Sequence, residues 1–113
     1  MSPPVIDPQV LAELQQQAGA EFVRELVDTF AEEGPGQLAV MRAAVSAADG
    51  PSPALRRAAH SIKSNATTFG AGRLAALARA LELGERCADA AALDELQAAL
   101  DEALAALRAS STE

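Results

Sequence analysis

Apolar residues recur along this chain at intervals of three and four, in blocks separated by glycine and proline. That spacing is the signature of amphipathic helices, whose turns repeat every 3.6 residues. Val10, Leu11 and Leu14 predict a short first helix, with Asp7 as N-cap and Pro8 at the first helical position. Phe22, Val23, Leu26, Val27 and Phe30 predict a second, and Leu38, Met41 and Val45 a third, with Gly34-Pro35-Gly36 as the break between them. A fourth runs from the Ser52 cap and Pro53 to Gly70, a span of roughly 25 Å at 1.5 Å per residue. Leu74, Leu77 and Leu81 predict a fifth helix, and Leu93, Leu96, Leu100, Leu104 and Leu107 a long last one. No segment alternates with period two, so no strand is predicted. Helices joined by short loops predict an all-α fold, an antiparallel up-and-down bundle. Residues 1–6 and 109–113 are expected to fray.

Composition agrees with this pattern. The chain has 113 residues, one domain spanning 1–113 and long enough to bury a core. Half of the residues are apolar, mostly alanine and leucine, with no Trp or Tyr, which favours helix over sheet. The formal net charge of −7 argues against nucleic acid as a partner, because phosphate contacts need clustered Lys and Arg. No apolar run reaches the ~20 residues of a membrane span, and the N-terminus has no secretory pattern; a cytoplasmic protein is expected. Cys87 is the one cysteine and His60 the one histidine, so neither a disulfide framework nor a zinc site of the usual ligands is expected.

The fourth helix carries the candidate chemistry. On a helical wheel Leu55, Ala58, Ile62, Ala66 and Phe69 share the core arc, and His60 falls opposite its centre. Arg56, Arg57, Lys63, Ser64 and Thr67 lie within about 60° of His60. Neighbouring cations disfavour protonation of an imidazole, and a neutral ring keeps a nucleophilic lone pair. The same cations would stabilise a phosphoryl group, which brings roughly −1.5 to −2 charges. The plainer reading of this stripe is a solvated basic face with an incidental histidine. The chain has no G-x-x-x-x-G-K-[ST] loop and no acidic Mg²⁺ cluster, so it is not expected to bind ATP or to act as a stand-alone kinase.

The stretch AHSIKSNATTFGAGRLAALARALE resembles the signature of histidine-containing phosphotransfer (HPt) domains, A-H-x-[LI]-K-[GS]-x-[AS] followed by Gly and a leucine-rich helix ending Leu-Glu. Ala59, His60, Ile62, Lys63, Phe69, Gly70, Ala71, Leu74, Leu77, Leu81 and Glu82 stand at matching offsets, and almost the whole chain fits. The resemblance implies a four-helix bundle with short additional N-terminal helices. It implies that His60 accepts a phosphoryl group from the aspartyl phosphate of a receiver domain in a hybrid histidine kinase and passes it to a response-regulator receiver. Lys63 would bind the phosphoryl oxygens, and Glu82 would orient the imidazole. Arg56, Arg57, Ser64 and Thr67 would meet the partner. No cofactor is expected in this chain; Mg²⁺ is expected on the receiver. A monomer is expected, since His60 needs its face free.

Ser64 departs from the family, where Gly is common; serine is small enough that docking is not expected to be blocked, and contact with the phosphoryl group, simple tolerance and a shift in partner preference are all open outcomes. Two other readings follow from the same residues. One is the phosphotransfer domain of a chemotaxis-type histidine kinase, against which the short chain beginning with Met favours a free-standing protein. The other is a non-catalytic helical adaptor that binds receiver domains.

Overall fold

A computed structural model describes residues 4–44 and 52–111. The described chain forms five helices and no strand: α1 (Pro8–Ala18), α2 (Ala20–Ala44), α3 (Pro53–Phe69), α4 (Gly72–Glu82) and α5 (Ala90–Ser111). Local chemistry sets most boundaries. The Asp7 carboxylate accepts a hydrogen bond from the Gln9 amide at 3.0 Å, with Pro8 at the first helical position. The Ser52 hydroxyl caps α3 by accepting from the Leu55 amide at 3.1 Å. Asp89 does the same for α5, accepting from the Ala92 amide at 2.8 Å.

Gly70 ends α3 with φ +78°, in the left-handed region that favours glycine. It is constrained a second way: a Cβ there would stand 2.9 Å from the Val10 Cβ. The Asp7 amide donates to the Gly70 carbonyl at 2.9 Å, so the start of α1 is tied to the α3–α4 corner.

One expectation needs correcting. The predicted second and third helices are a single helix, α2, which runs through Gly34-Pro35-Gly36 without a break. Proline inside a helix removes one backbone hydrogen bond and crowds the preceding turn, at a cost of about 3 kcal/mol. Packing offsets that cost. Val23, Val27, Phe30, Gly34, Leu38 and Met41 are all buried, at steps of three and four that never slip. Gly34 also lets α5 come close: a Cβ there would lie 3.3 Å from the Leu100 Cδ1. Consequently one short helix, α1, precedes the long α2, where several short N-terminal helices were expected. Val45 and the Asp49-Gly50-Pro51 punctuation lie outside the described residues.

Each helix buries one stripe. α3 packs against α2 and α4, α5 against α2 and α4, and α1 covers α2 and α3. Phe30 and Phe69 stack with ring centroids 5.8 Å apart. Buried Ala58, Ala59, Ala66, Ala78, Ala99 and Ala103 keep the helices close. Within the ends expected to fray, Ile6 is buried and α5 continues through Ser111. No described helix is long and apolar enough to cross a membrane.

Candidate functional site

His60 sits eight residues into α3, on the face opposite the core, with its side chain 61% exposed. The core beneath it is the one the wheel predicts: Leu55, Ala58, Ile62, Ala66 and Phe69 are buried, joined by Ala59. The burial of those residues fixes the rotation of α3 and hence the outward direction of His60.

The α3–α4 corner then supplies the second part of the site. Gly70 and Ala71 turn the chain, and Glu82, the last residue of α4, meets His60. The His60 Nδ1 lies 2.6 Å from the Glu82 Oε2, and the Lys63 Nζ lies 2.9 Å from the Glu82 Oε1. One carboxylate therefore bridges the imidazole and the ammonium. Its side chain is 14% exposed, against 27% for Lys63, so the ring stands out over a half-shielded ion pair.

The charge states follow from this contact. Close approach of the Lys63 ammonium, aided by the His60 ring, holds the Glu82 carboxyl below the usual glutamate range, although burial opposes the shift. An ionised carboxylate can only accept hydrogen bonds. Nδ1 must then carry the proton and donate it to Oε2, and in the neutral ring the lone pair resides on Nε2. The site thus offers a positioned nucleophilic nitrogen on the side away from Glu82.

The remaining expected site residues divide. Arg56, Arg57, Ser64 and Thr67 are all exposed on α3 beside His60. The Thr67 hydroxyl donates to the Lys63 carbonyl at 2.9 Å, so its proton is engaged within the helix. The Lys63–Glu82 pair was not foreseen. It sets a carboxylate among the cations, so the ring does not face an unrelieved positive field. Nothing local in the sequence marks the pair, because nineteen residues and a helix corner separate its members. Among the described residues no group of three or more His, Cys, Asp or Glu side chains is placed to hold a metal, and Cys87 is exposed and unbridged.

Comparison with known proteins places this geometry. The family model of the Hpt domain matches residues 25–110. The crystal structure of histidine-containing phosphotransfer protein B (HptB) from Pseudomonas aeruginosa PAO1 is similar over 98% of this chain and 97% of that chain, with a TM-score of 0.81 and 30% sequence identity. No curated protein matches the sequence. The family match covers well over half of the chain, and the chain belongs to the Hpt domain family.

Proposed function

We propose that this chain is a phosphorelay intermediate in which His60 carries the phosphoryl group. Membership of the Hpt family and the likeness to HptB support a histidine phosphotransfer role in a two-component phosphorelay. The observation that carries the assignment to His60 is the Nδ1 contact with Glu82, which leaves Nε2 as the ring nitrogen free of that contact.

The fold that presents His60 in this reading is an antiparallel up-and-down bundle of α2 to α5, with α1 added. Chain length supports it. Were α2 and α3 parallel, the Phe30–Phe69 stack would leave Ala44 and Pro53 about 45 Å apart. The chain between them reaches at most about 32 Å. Cross-helix pairs support the rest: Arg42–Asp94 at 3.0 Å joins α2 to α5, and Arg73–Glu102 at 3.3 Å joins α4 to α5.

The chemistry runs as follows. The donor is the aspartyl phosphate of a receiver domain in a hybrid histidine kinase. The Nε2 lone pair attacks phosphorus; the P–N bond forms as the P–O bond to aspartate breaks, and the carboxylate leaves with the electron pair. The ring becomes a phosphorylated imidazolium whose Nδ1–H stays on Glu82, so the carboxylate stabilises the charge that develops. Lys63 has three N–H donors; one faces Glu82 and the others are free to turn toward phosphoryl oxygens. Transfer onward reverses these steps at the aspartate of a response-regulator receiver. Phosphoryl transfer of this kind is chiefly positioning and charge stabilisation. In this reading Mg²⁺ belongs to the receiver, Arg56, Arg57, Ser64 and Thr67 meet it, and the protein works as a cytoplasmic monomer.

The test is transfer of label from phosphorylated receiver domains, beside a His60→Gln control. Label that is lost in acid, survives base and is absent from the control is the expected result. Label retained by His60→Gln would contradict the assignment.

A further inference from the structure

A phosphoryl group on His60 brings three terminal oxygens to an exposed helix face, and each of them accepts hydrogen bonds. We propose that the Ser64 hydroxyl is one of their donors: it holds a phosphoryl oxygen on His60 Nε2 and so favours the phosphorylated state of this chain. The proposal rests on the transfer reaction proposed above. It gives Ser64 a task on the phosphoryl group itself, beyond contact with a receiver.

Polar side chains within a helix often bond back to the carbonyl one turn earlier. On α3 three do so. The Asn65 amide donates to the Ser61 carbonyl at 3.0 Å, the Thr67 hydroxyl to the Lys63 carbonyl at 2.9 Å, and the Thr68 hydroxyl to the Ser64 carbonyl at 3.0 Å. Thr29 on α2 and Ser110 on α5 are tied down in the same way, at 3.1 and 3.0 Å. Ser64 is exposed, and its hydroxyl donates to no described residue. Ser61 also lacks such a bond, but it is half-buried and falls about 100° around the helix from His60.

The lean of the side chains aims Ser64 at the ring. A helical side chain tilts toward the N-terminus and covers the turn before its own Cα. The turn before Ser64 carries His60, and residues four apart have Cβ atoms about 5–6 Å from each other. Arg56 and Arg57 stand one turn earlier and tilt away from the ring by the same rule.

Position around the helix agrees. Lys63 falls about 60° to one side of His60 and Ser64 about 40° to the other. Lys63 marks the α4 side, because its ammonium meets Glu82 at 2.9 Å. The His60 Nδ1 is turned to the same carboxylate. The two nitrogens of an imidazole direct their outward bonds apart, so the Nε2 bond is turned away from Glu82. Lys63 thus approaches the phosphoryl group from the α4 flank and Ser64 from the opposite one.

The chemistry sets the sign of the effect. A hydroxyl supplies one donor and no charge. Donation to a phosphoryl oxygen is charge-assisted and stronger than donation to a neutral acceptor. Without the phosphoryl group the same hydroxyl is solvated, so the bond is gained and lost with phosphorus. In a loose, metaphosphate-like transition state the P–N electron pair has moved to nitrogen, and the oxygens carry less charge than in the phosphoryl dianion. The hydroxyl therefore holds the resting phosphohistidine more firmly than the transition state, and slows its hydrolysis to inorganic phosphate.

The experiment uses the full chain, phosphorylated from its receiver or by phosphoramidate, a small donor that needs no docking. Two quantities are read for wild type, Ser64→Ala, Ser64→Cys and Thr68→Ala. One is the equilibrium constant for transfer from the receiver aspartate to this chain; the other is the first-order loss of phosphate from isolated phosphoprotein. Docking does not enter an equilibrium constant among free species, so a hydroxyl that only meets the receiver leaves it unchanged. In Ser64→Ala the constant is expected to fall roughly three- to tenfold, with faster loss of phosphate. Ser64→Cys should follow it, because a thiol fills the space but is a weak donor. Thr68→Ala should match wild type, its hydroxyl being held by the helix. A wild-type constant and lifetime in Ser64→Ala, with His60 labelled normally, would overturn the role of the hydroxyl alone. A changed KM for the receiver with the constant unmoved would assign Ser64 to docking, and would also overturn it. An equal shift in Thr68→Ala would trace the effect to the helix as a whole and overturn it too. No label on the wild type from either donor would remove the transfer reading and the inference with it.

Discussion

Two glycine-rich stretches of this chain look alike on paper and do opposite things. Gly34-Pro35-Gly36 lies inside an unbroken α2, whereas Gly70-Ala71-Gly72 ends α3 and folds α4 back along it. The difference is not the number of glycines, nor the proline, which favours the wrong one. Gly70 takes a positive φ and Gly34 and Gly36 do not. The apolar stripe of α2 also continues in phase across its glycines, so tertiary packing rewards the helix that local preference penalises. A turn is made where the backbone must adopt the left-handed region, not wherever it could. The functional consequence is direct: the corner at Gly70 brings Glu82 to His60.

The comparison is broken most severely at Gly70. Gly70→Val forces a branched side chain into positive φ and into contact with Val10, and is expected to cost about 3 kcal/mol in chemical denaturation. It should also slow transfer, because the corner sets the reach of Glu82. An equally stable variant with normal transfer would show that the corner does not organise the site.

Next in size are two changes to the site. Glu82→Gln keeps shape and loses the charge that Lys63 and Nδ1 share, and transfer is expected to slow roughly ten- to a hundredfold, read as kcat. Its stability cost has a pH signature. Because the Glu82 carboxyl titrates below its ordinary range, its contribution is complete above the unfolded glutamate value and is lost as pH falls through the folded one. Wild type and Glu82→Gln should therefore differ by a constant amount near neutrality and converge only at pH values below about 4.3. A gap that closes at pH 6 would contradict the Lys63–Glu82 pairing. Lys63→Ala should slow transfer without unfolding the helices; an unchanged rate would remove the role given to that ammonium.

The smallest effect comes from the other glycine stretch. Gly36 is helical with open space around its Cα, so Gly36→Ala should stabilise the protein by about 0.5–1 kcal/mol and leave transfer alone. Loss of stability there would mean that α2 needs the flexibility of its glycines.

These contrasts explain what could be read in advance. The caps at Asp7, Ser52 and Gly70 were legible because each satisfies neighbouring backbone groups, a matter of a few residues. His60 was legible because five apolar residues of its own helix fix which way it points. The continuity of α2 was not, since its cost is written locally at Pro35 and its compensation lies in contacts with α3 and α5. The Glu82 contact with His60 came from family resemblance, and its bridge to Lys63 required two helices side by side. Local grammar gives elements and facing directions; pairs that span a corner need the fold.

The central claim is that Glu82 holds the Nδ1 proton and so reserves Nε2 for phosphorus. The measurement that meets it most directly is NMR of ¹⁵N-labelled, phosphorylated protein, reading which imidazole nitrogen couples to ³¹P. Coupling at Nε2 is expected, with Nδ1 still protonated and bonded to Glu82. Coupling at Nδ1, or phosphorus on any residue other than His60, would contradict it.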